Sequence, residues 1–195
     1  MFFYDKLIST ISIEAPNVKV ETYVDENKEE DIKNILRLRK VDLAITISKI
    51  NEMSYKTEKL IDDKLVVLAS KKHPRIKNCI NLEKFLNEKH ISWNINDKDK
   101  NQLFKNTVKT NIPERNVVHR SSAINMLLMV SNSEMLCLCP ETIFKKFENF
   151  NILNKFETPF DCKSFSIYMN WHKSYDKEQG IVWLRKKINS IFQMK

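Results

Sequence analysis

Two short apolar runs rich in β-branched residues do most to restrict what this chain can become: Val41-Asp42-Leu43-Ala44-Ile45-Thr46-Ile47 and Leu65-Val66-Val67-Leu68-Ala69-Ser70. Runs of this length, bounded by charge, read as buried strands of a mostly parallel sheet. Ligand sites in such sheets lie beyond the strand ends rather than within the strands. The polar residues that follow each run are therefore the first place to look for function. Ser70, Lys71 and His73 are such residues.

The periodicity on either side fills in an α/β chain. Phe3, Leu7, Ile8 and Ile11 share one face at helical spacing over 2–14, and Pro16 ends that helix. Val18, Val20, Thr22 and Val24 alternate as a strand over 18–24, and 28–39 reads as a helix with Ile32, Ile35 and Leu36 inward. With the 41–47 strand these make a βαβ unit. An extended segment at 54–61 leads into the 64–70 strand. Beyond His73-Pro74 come a short helix near 82–87, a strand at 91–95, a helix over 98–107, and a short strand at Val117-Val118. A helix follows at 123–130, apolar nearly all round, as expected of one covered on more than one side. A buried strand at 135–139 ends at Pro140, then come a helix at 141–149, a returning strand at 164–172 and a last helix at 177–192. The pattern implies two α/β lobes: 1–69 plus 163–195, with 70–162 inserted, and hinge crossings near 69–73 and 157–163.

Composition removes several function classes. The chain has 195 residues and a single glycine, Gly180, so neither a G-x-G-x-x-G turn nor a Walker phosphate loop can be written. The net charge of +8 permits nucleic-acid contact. However, Lys and Glu alternate through 26–40, 82–89 and 97–105, as on solvated helix faces. No helix-turn-helix or zinc-finger signature is present. Cys79, Cys137, Cys139 and Cys162 fit no metal spacing and read as buried, reduced cysteines of a cytoplasmic protein. There is no apolar run of about eighteen residues and no signal peptide. The four histidines lie far apart, and neither H-E-x-x-H nor G-x-S-x-G occurs. No enzyme activity, metal or cofactor is expected.

The order of short motifs resembles the effector-binding domain of LysR-type transcriptional regulators. The matching pieces are Ala15-Pro16-Asn17-Val18, Val41-Asp42-Leu43-Ala44-Ile45 and the run from Leu65 to His73-Pro74. They continue with His90-Ile91-Ser92, His119-Arg120-Ser121-Ser122, Met135 to Pro140, Trp171-His172 and Trp183-Leu184-Arg185. The Trp-His pair looks like the subgroup of nodulation and aromatic-degradation regulators. The resemblance implies a two-lobed type 2 periplasmic-binding-protein-like fold, with mostly parallel sheets and flanking helices, closing on a small effector in the cleft between lobes. It also implies a homodimer or tetramer that meets promoter DNA only through an N-terminal domain not in this chain. Two departures stand out. The strand that opens the family's domain, with its ligand-contacting Ser or Thr, is missing, and Arg39-Lys40 stand where the family has a glycine.

Candidate effector contacts follow from both lines of reading. Ser70 and His73 leave the 64–70 strand, and the alternative for them is a solvated turn. Ser92 and Trp93 follow Ile91, and the tryptophan either stacks on an aromatic effector or lines the lobe core. His119, Arg120, Ser121 and Ser122 stand at a strand end and a helix start, where free N–H groups and the helix dipole favour an anion. Arg120 adds a bidentate carboxylate contact, while a serine there also serves as a simple helix cap. Asn170, Trp171 and His172 end the returning strand, facing the cleft in the family. The helices at 28–39 and 123–130 are candidate dimer surfaces. The function expected is effector sensing and oligomerisation for a LysR-type regulator, the effector an aromatic or carboxylate molecule. The alternatives are a stand-alone cytosolic solute-binding module or a truncated, inactive regulator fragment.

Overall fold

A computed structural model describes residues 4–22, 29–93, 107–109 and 114–193. The chain divides into two compact units, Met1–Asp62 with Ser166–Lys195, and Asp63–Phe165. The crossings thus fall at 62/63 and 165/166, and the 65–70 strand lies in the second unit rather than the first. Phe3, Val24, Ile95 and all but Thr107 of the 98–107 helix lie outside the described residues.

In the first unit, helix α1 (Tyr4–Glu14) buries Leu7 and Ile11, one turn apart, against Ile181, Ile188 and Ile191 of helix α6 (Gln179–Gln193). Met169, Trp171 and Tyr175 complete that core. Helix α2 (Glu29–Arg37) buries Leu36 against Ile50 and Tyr55. Strand β8 (Phe165–His172) is central, flanked by β1 (Ala44–Thr46) and β2 (Tyr55–Asp63), and its pairing with β1 is antiparallel. Two expectations fail here. Strand geometry in the 41–47 run is confined to 44–46 at the side of the sheet, and residues 18–22 form no strand. Val18 is 54% exposed although Val20 packs against the core, so alternation in sequence did not secure a strand partner. The βαβ unit is therefore not formed by the described residues.

The second unit is built on β3 (Leu65–Ser70), buried at all six positions between antiparallel neighbours β6 (Cys137–Pro140) and β7 (Leu153–Glu157). Leu65, Val67 and Ala69 face Ile76, Leu136, Leu138 and Phe85, the last from helix α3 (Leu82–Asn87). Strands β4 (Lys89–Trp93) and β5 (Asn116–Ser121) pair in parallel. Backbone bonds of 2.9 Å between Leu136 and both Lys89 and Ile91 carry β4 onto the chain entering β6. Among the described residues of this unit, parallel pairing is thus restricted to this part. A continuous apolar run reports burial on both faces, which antiparallel neighbours under helices supply equally well.

Helix α4 (Ala123–Ser131) buries Met126, Leu127 and Val130 and leaves Ile124 and Leu128 exposed, so it is covered on one face only. Helix α5 (Glu141–Phe147) follows β6, which includes Pro140 instead of stopping before it. Cys137 and Cys139 are buried and unpaired, as expected; Cys79 is exposed and Cys162 only partly covered. Burial pushes the Cys137 thiol up to about 12, which leaves it un-ionised and unreactive. No helix among the described residues is long and apolar enough to cross a membrane.

Candidate functional site

Strands β4 and β5 run in the same direction, so both end on the side where α4 begins. The register sets Ser92 opposite Arg120 and Trp93 opposite Ser121. A register shift between His90 and Ile91 gives β5 an extra residue and re-aims its last positions. Ser122 occupies the N-cap position of α4 with φ −61° and ψ 158°, yet its hydroxyl makes no bond to the helix. Its carbonyl accepts the Met126 N–H at 2.8 Å, which begins the helical ladder. The first turn of α4 therefore receives no side-chain cap, the condition under which a helix start attracts an anion.

Five of the expected residues thus meet: Ser92, Trp93, Arg120, Ser121 and Ser122. Ser92 is buried at 6% exposure while Arg120 and Ser122 are open to solvent. His119 pairs with Ile91 and is also exposed. Sequence reading missed Arg115, just before β5. Burial lowers its guanidinium to about 10, partly opposed by Cys137, and the positive charge of Arg120 adds a lesser lowering effect. Arg115 stands at the start of β5 and Arg120 near its end, so of the two only Arg120 lies on the side where α4 begins. An isolated arginine in an unclear stretch gave no periodic signal from which this could be read.

Ser70 and His73 sit at the other end of α4, and their polar atoms are engaged in structure. The Ser70 hydroxyl donates to the Ser131 carbonyl at 2.8 Å, capping the helix C-terminus from outside. The His73 ring is 1% exposed. Its Nδ1 accepts the Arg75 and Ile76 N–H groups at 3.2 and 3.0 Å, so Nε2 carries the proton and donates to the Glu134 carbonyl at 3.0 Å. Beside it, Arg75 grips Glu88 with two bonds of 2.7 and 2.8 Å. Solvated turn residues they are not.

In the first unit, Asn170 is wholly buried. Its Oδ1 accepts from Thr57 Oγ1 at 2.7 Å and Ile50 N at 3.3 Å, and its Nδ2 donates to Thr46 Oγ1 at 2.8 Å and the Ser48 carbonyl at 3.4 Å. The amide is saturated and ties β8 to β1, β2 and the turn between them. Trp171 belongs to the core, donating to Asp176 at 3.1 Å beneath the Arg185 guanidinium. His172 accepts from the Ser174 N–H at 3.3 Å and meets Tyr55 edge-on at 5.4 Å. The side-chain polar atoms of Asn170 and Trp171 are thus engaged within the unit, and Nδ1 of His172 is engaged by Ser174. Among the described residues no His, Cys, Asp and Glu converge as a metal site.

Comparison with known proteins agrees with this architecture. Residues 4–187 match the LysR substrate binding domain family. The chain is similar to the HTH-type transcriptional regulator LeuO of Escherichia coli K12, at 23% identity over 91% of the chain and 55% of LeuO. It is similar to nodulation protein D of Rhizobium leguminosarum bv. trifolii, at 25% identity over 96% of the chain and 58% of that protein. It therefore spans little more than half the length of these curated relatives. A candidate transcriptional regulator from Vibrio parahaemolyticus superposes with a TM-score of 0.82 at 21% identity, covering 99% of this chain and 88% of the other. The fold is the type 2 periplasmic-binding-protein-like α/β fold of these regulatory domains.

Proposed function

The chain belongs to the family of LysR substrate binding domains, and from that premise we propose that it senses a small anionic effector and relays its presence to a transcription regulator. This family consists of regulators, not enzymes, and the site described contains no nucleophile–base pair. Promoter contact would be made by a DNA-binding domain outside these residues, with the protein acting as a cytoplasmic homo-oligomer.

The observation that supports an anionic effector is the uncapped start of α4 beside Arg120 and Ser92. The N–H groups of that first turn, the serine hydroxyls and Arg120 supply donors and positive charge for a carboxylate. Trp93, beside Ser92, offers a flat surface for an aromatic ring. Ser70, His73, Asn170, Trp171 and His172 are assigned instead to holding the frame of each unit. Calorimetric titration with aromatic and aliphatic carboxylates tests the proposal. A charge-assisted contact is worth roughly 1.5–3 kcal/mol, so Arg120→Ala should weaken binding by about tenfold or more. Its exposed position predicts little loss of stability. Unchanged affinity in that variant would remove the anion site, and a panel without any binder would remove the sensor reading.

A further inference from the structure

Strand β5 is one residue longer than the strand it pairs with. Lys89 and His90 stand opposite Asn116 and Val117, but Ile91, Ser92 and Trp93 stand opposite His119, Arg120 and Ser121. Val118 is passed over, and it is 47% exposed. The irregularity belongs to β5, because the other edge of β4 is regular. There the Leu136 N–H donates to the Lys89 carbonyl and the Ile91 N–H to the Leu136 carbonyl, both at 2.9 Å. Had the pairing run unbroken from His90 and Val117, Ile91 would meet Val118 and Ser92 would meet His119. Arg120 would then stand opposite Trp93. A shift of one residue turns a strand's side chains to its other face, and bulges beside functional sites re-aim side chains in this way.

The exchange matters chemically. A guanidinium keeps its charge and offers two parallel donors to a carboxylate, whereas an imidazole loses its charge near neutrality. We propose that Val118 is a positioning residue: the extra residue it adds to β5 sets Arg120 rather than His119 opposite the buried Ser92, so that a bound anion meets a permanent cation. The inference deepens the anionic-effector reading and rests on it. The elements packed on β5 add little that could take over the role. Helix α4 has no ionisable side chain. Strand β4 brings Lys89 at its far end and His90, whose imidazole burial lowers to about 4. Arg115, before β5, is lowered only to about 10 and stays a constant charge.

Calorimetric titration with benzoate, a carboxylate ionised throughout the range used, tests the proposal at about pH 5.5 and about pH 8. The parent should bind equally at both. Deletion of Val118 brings His119 opposite Ser92, and affinity should fall about tenfold from the lower to the higher pH. Adding His119→Arg to the deletion should restore binding that is the same at both. If Val118 served the fold alone, its deletion would weaken binding equally at both pH values. That result overturns the inference, as does a deletion variant that binds as the parent does. If the deletion variant fails to fold, His119→Arg combined with Arg120→His decides the matter, since both side chains are exposed. Its affinity should again fall about tenfold at the higher pH, and equal affinities count against the proposal. A parent that itself loses affinity at the higher pH puts His119 in the contact and overturns this inference alone. A parent that binds benzoate at neither pH counts against the anionic-effector reading, and this inference falls with it.

Discussion

Burial drives the His90 imidazole down to about 4, with the Phe85 carbonyl, accepting from Nε2 at 2.7 Å, pulling partly the other way. The ring is 0% exposed, edge-on to Phe85, and its Nδ1 has no partner among the described residues. A charge there would be created in the core. The unfolded chain binds this proton near pH 6.5 and the folded chain only near 4. The stability from neutral His90 is thus fully present above 6.5 and is lost progressively as pH falls toward 4. The linkage amounts to roughly 3 kcal/mol at most. Urea unfolding between pH 7.5 and 4.5 should show this decline, and His90→Gln should flatten it; an equally steep decline in the variant would assign the acid sensitivity elsewhere. Asn170 shows the opposite limit of the same scale. Its type and position suggested a ligand contact, but saturation of its amide by four internal partners is a property of its neighbours, which no single residue announces.

At the scale of elements, α2 ends without the residue its ending prefers. Lys40 N–H reaches the Ile35 carbonyl at 2.9 Å and Arg39 N–H reaches Leu36 at 3.2 Å, the bonds of a Schellman close. That close places Arg39 at φ 56°, where a Cβ costs about 1 kcal/mol. The Arg39 guanidinium lies 5.0 Å from the Tyr175 ring centre and offsets part of it. Arg39→Ala and Arg39→Gly both lose this contact, and only glycine also relieves the backbone. Thermal melts should find Arg39→Gly more stable than Arg39→Ala by about 1 kcal/mol; equal stability would contradict the backbone argument. The missing glycine was visible in the sequence as a turn made at conformational expense, because it depends on local chemistry. Strand 18–22 failed because a strand needs partners, and alternation does not identify them.

For the whole molecule, the consequence lies in α4. Leu127 is fully buried, and Leu128 is 47% exposed with Ile124, one turn away, 58% exposed. Both leucines look alike in a helix apolar nearly all round. Leu127→Glu buries an unpaired charge and should cost more than about 4 kcal/mol, enough to unfold a domain of ordinary stability. Leu128→Glu should fold normally. If the open face joins copies, as proposed, sedimentation will show this variant shifted toward monomer; an assembly identical to the parent would clear α4 of that role. The amino-acid sequence by itself determined the α/β class, the buried β3 run, most helix and strand positions from 55 onward, and the family. These rest on periodicity and motif order, which are local or strictly sequential. Tertiary structure alone decided the strand directions, the unit boundary that gives β3 to the second unit, and which polar residues are free to bind. Each of those depends on partners supplied by distant segments: Asp63 by Thr142, Ser70 by Ser131, Asn170 by Thr46 and Thr57. A polar side chain is functional or structural according to whether the fold has already satisfied it.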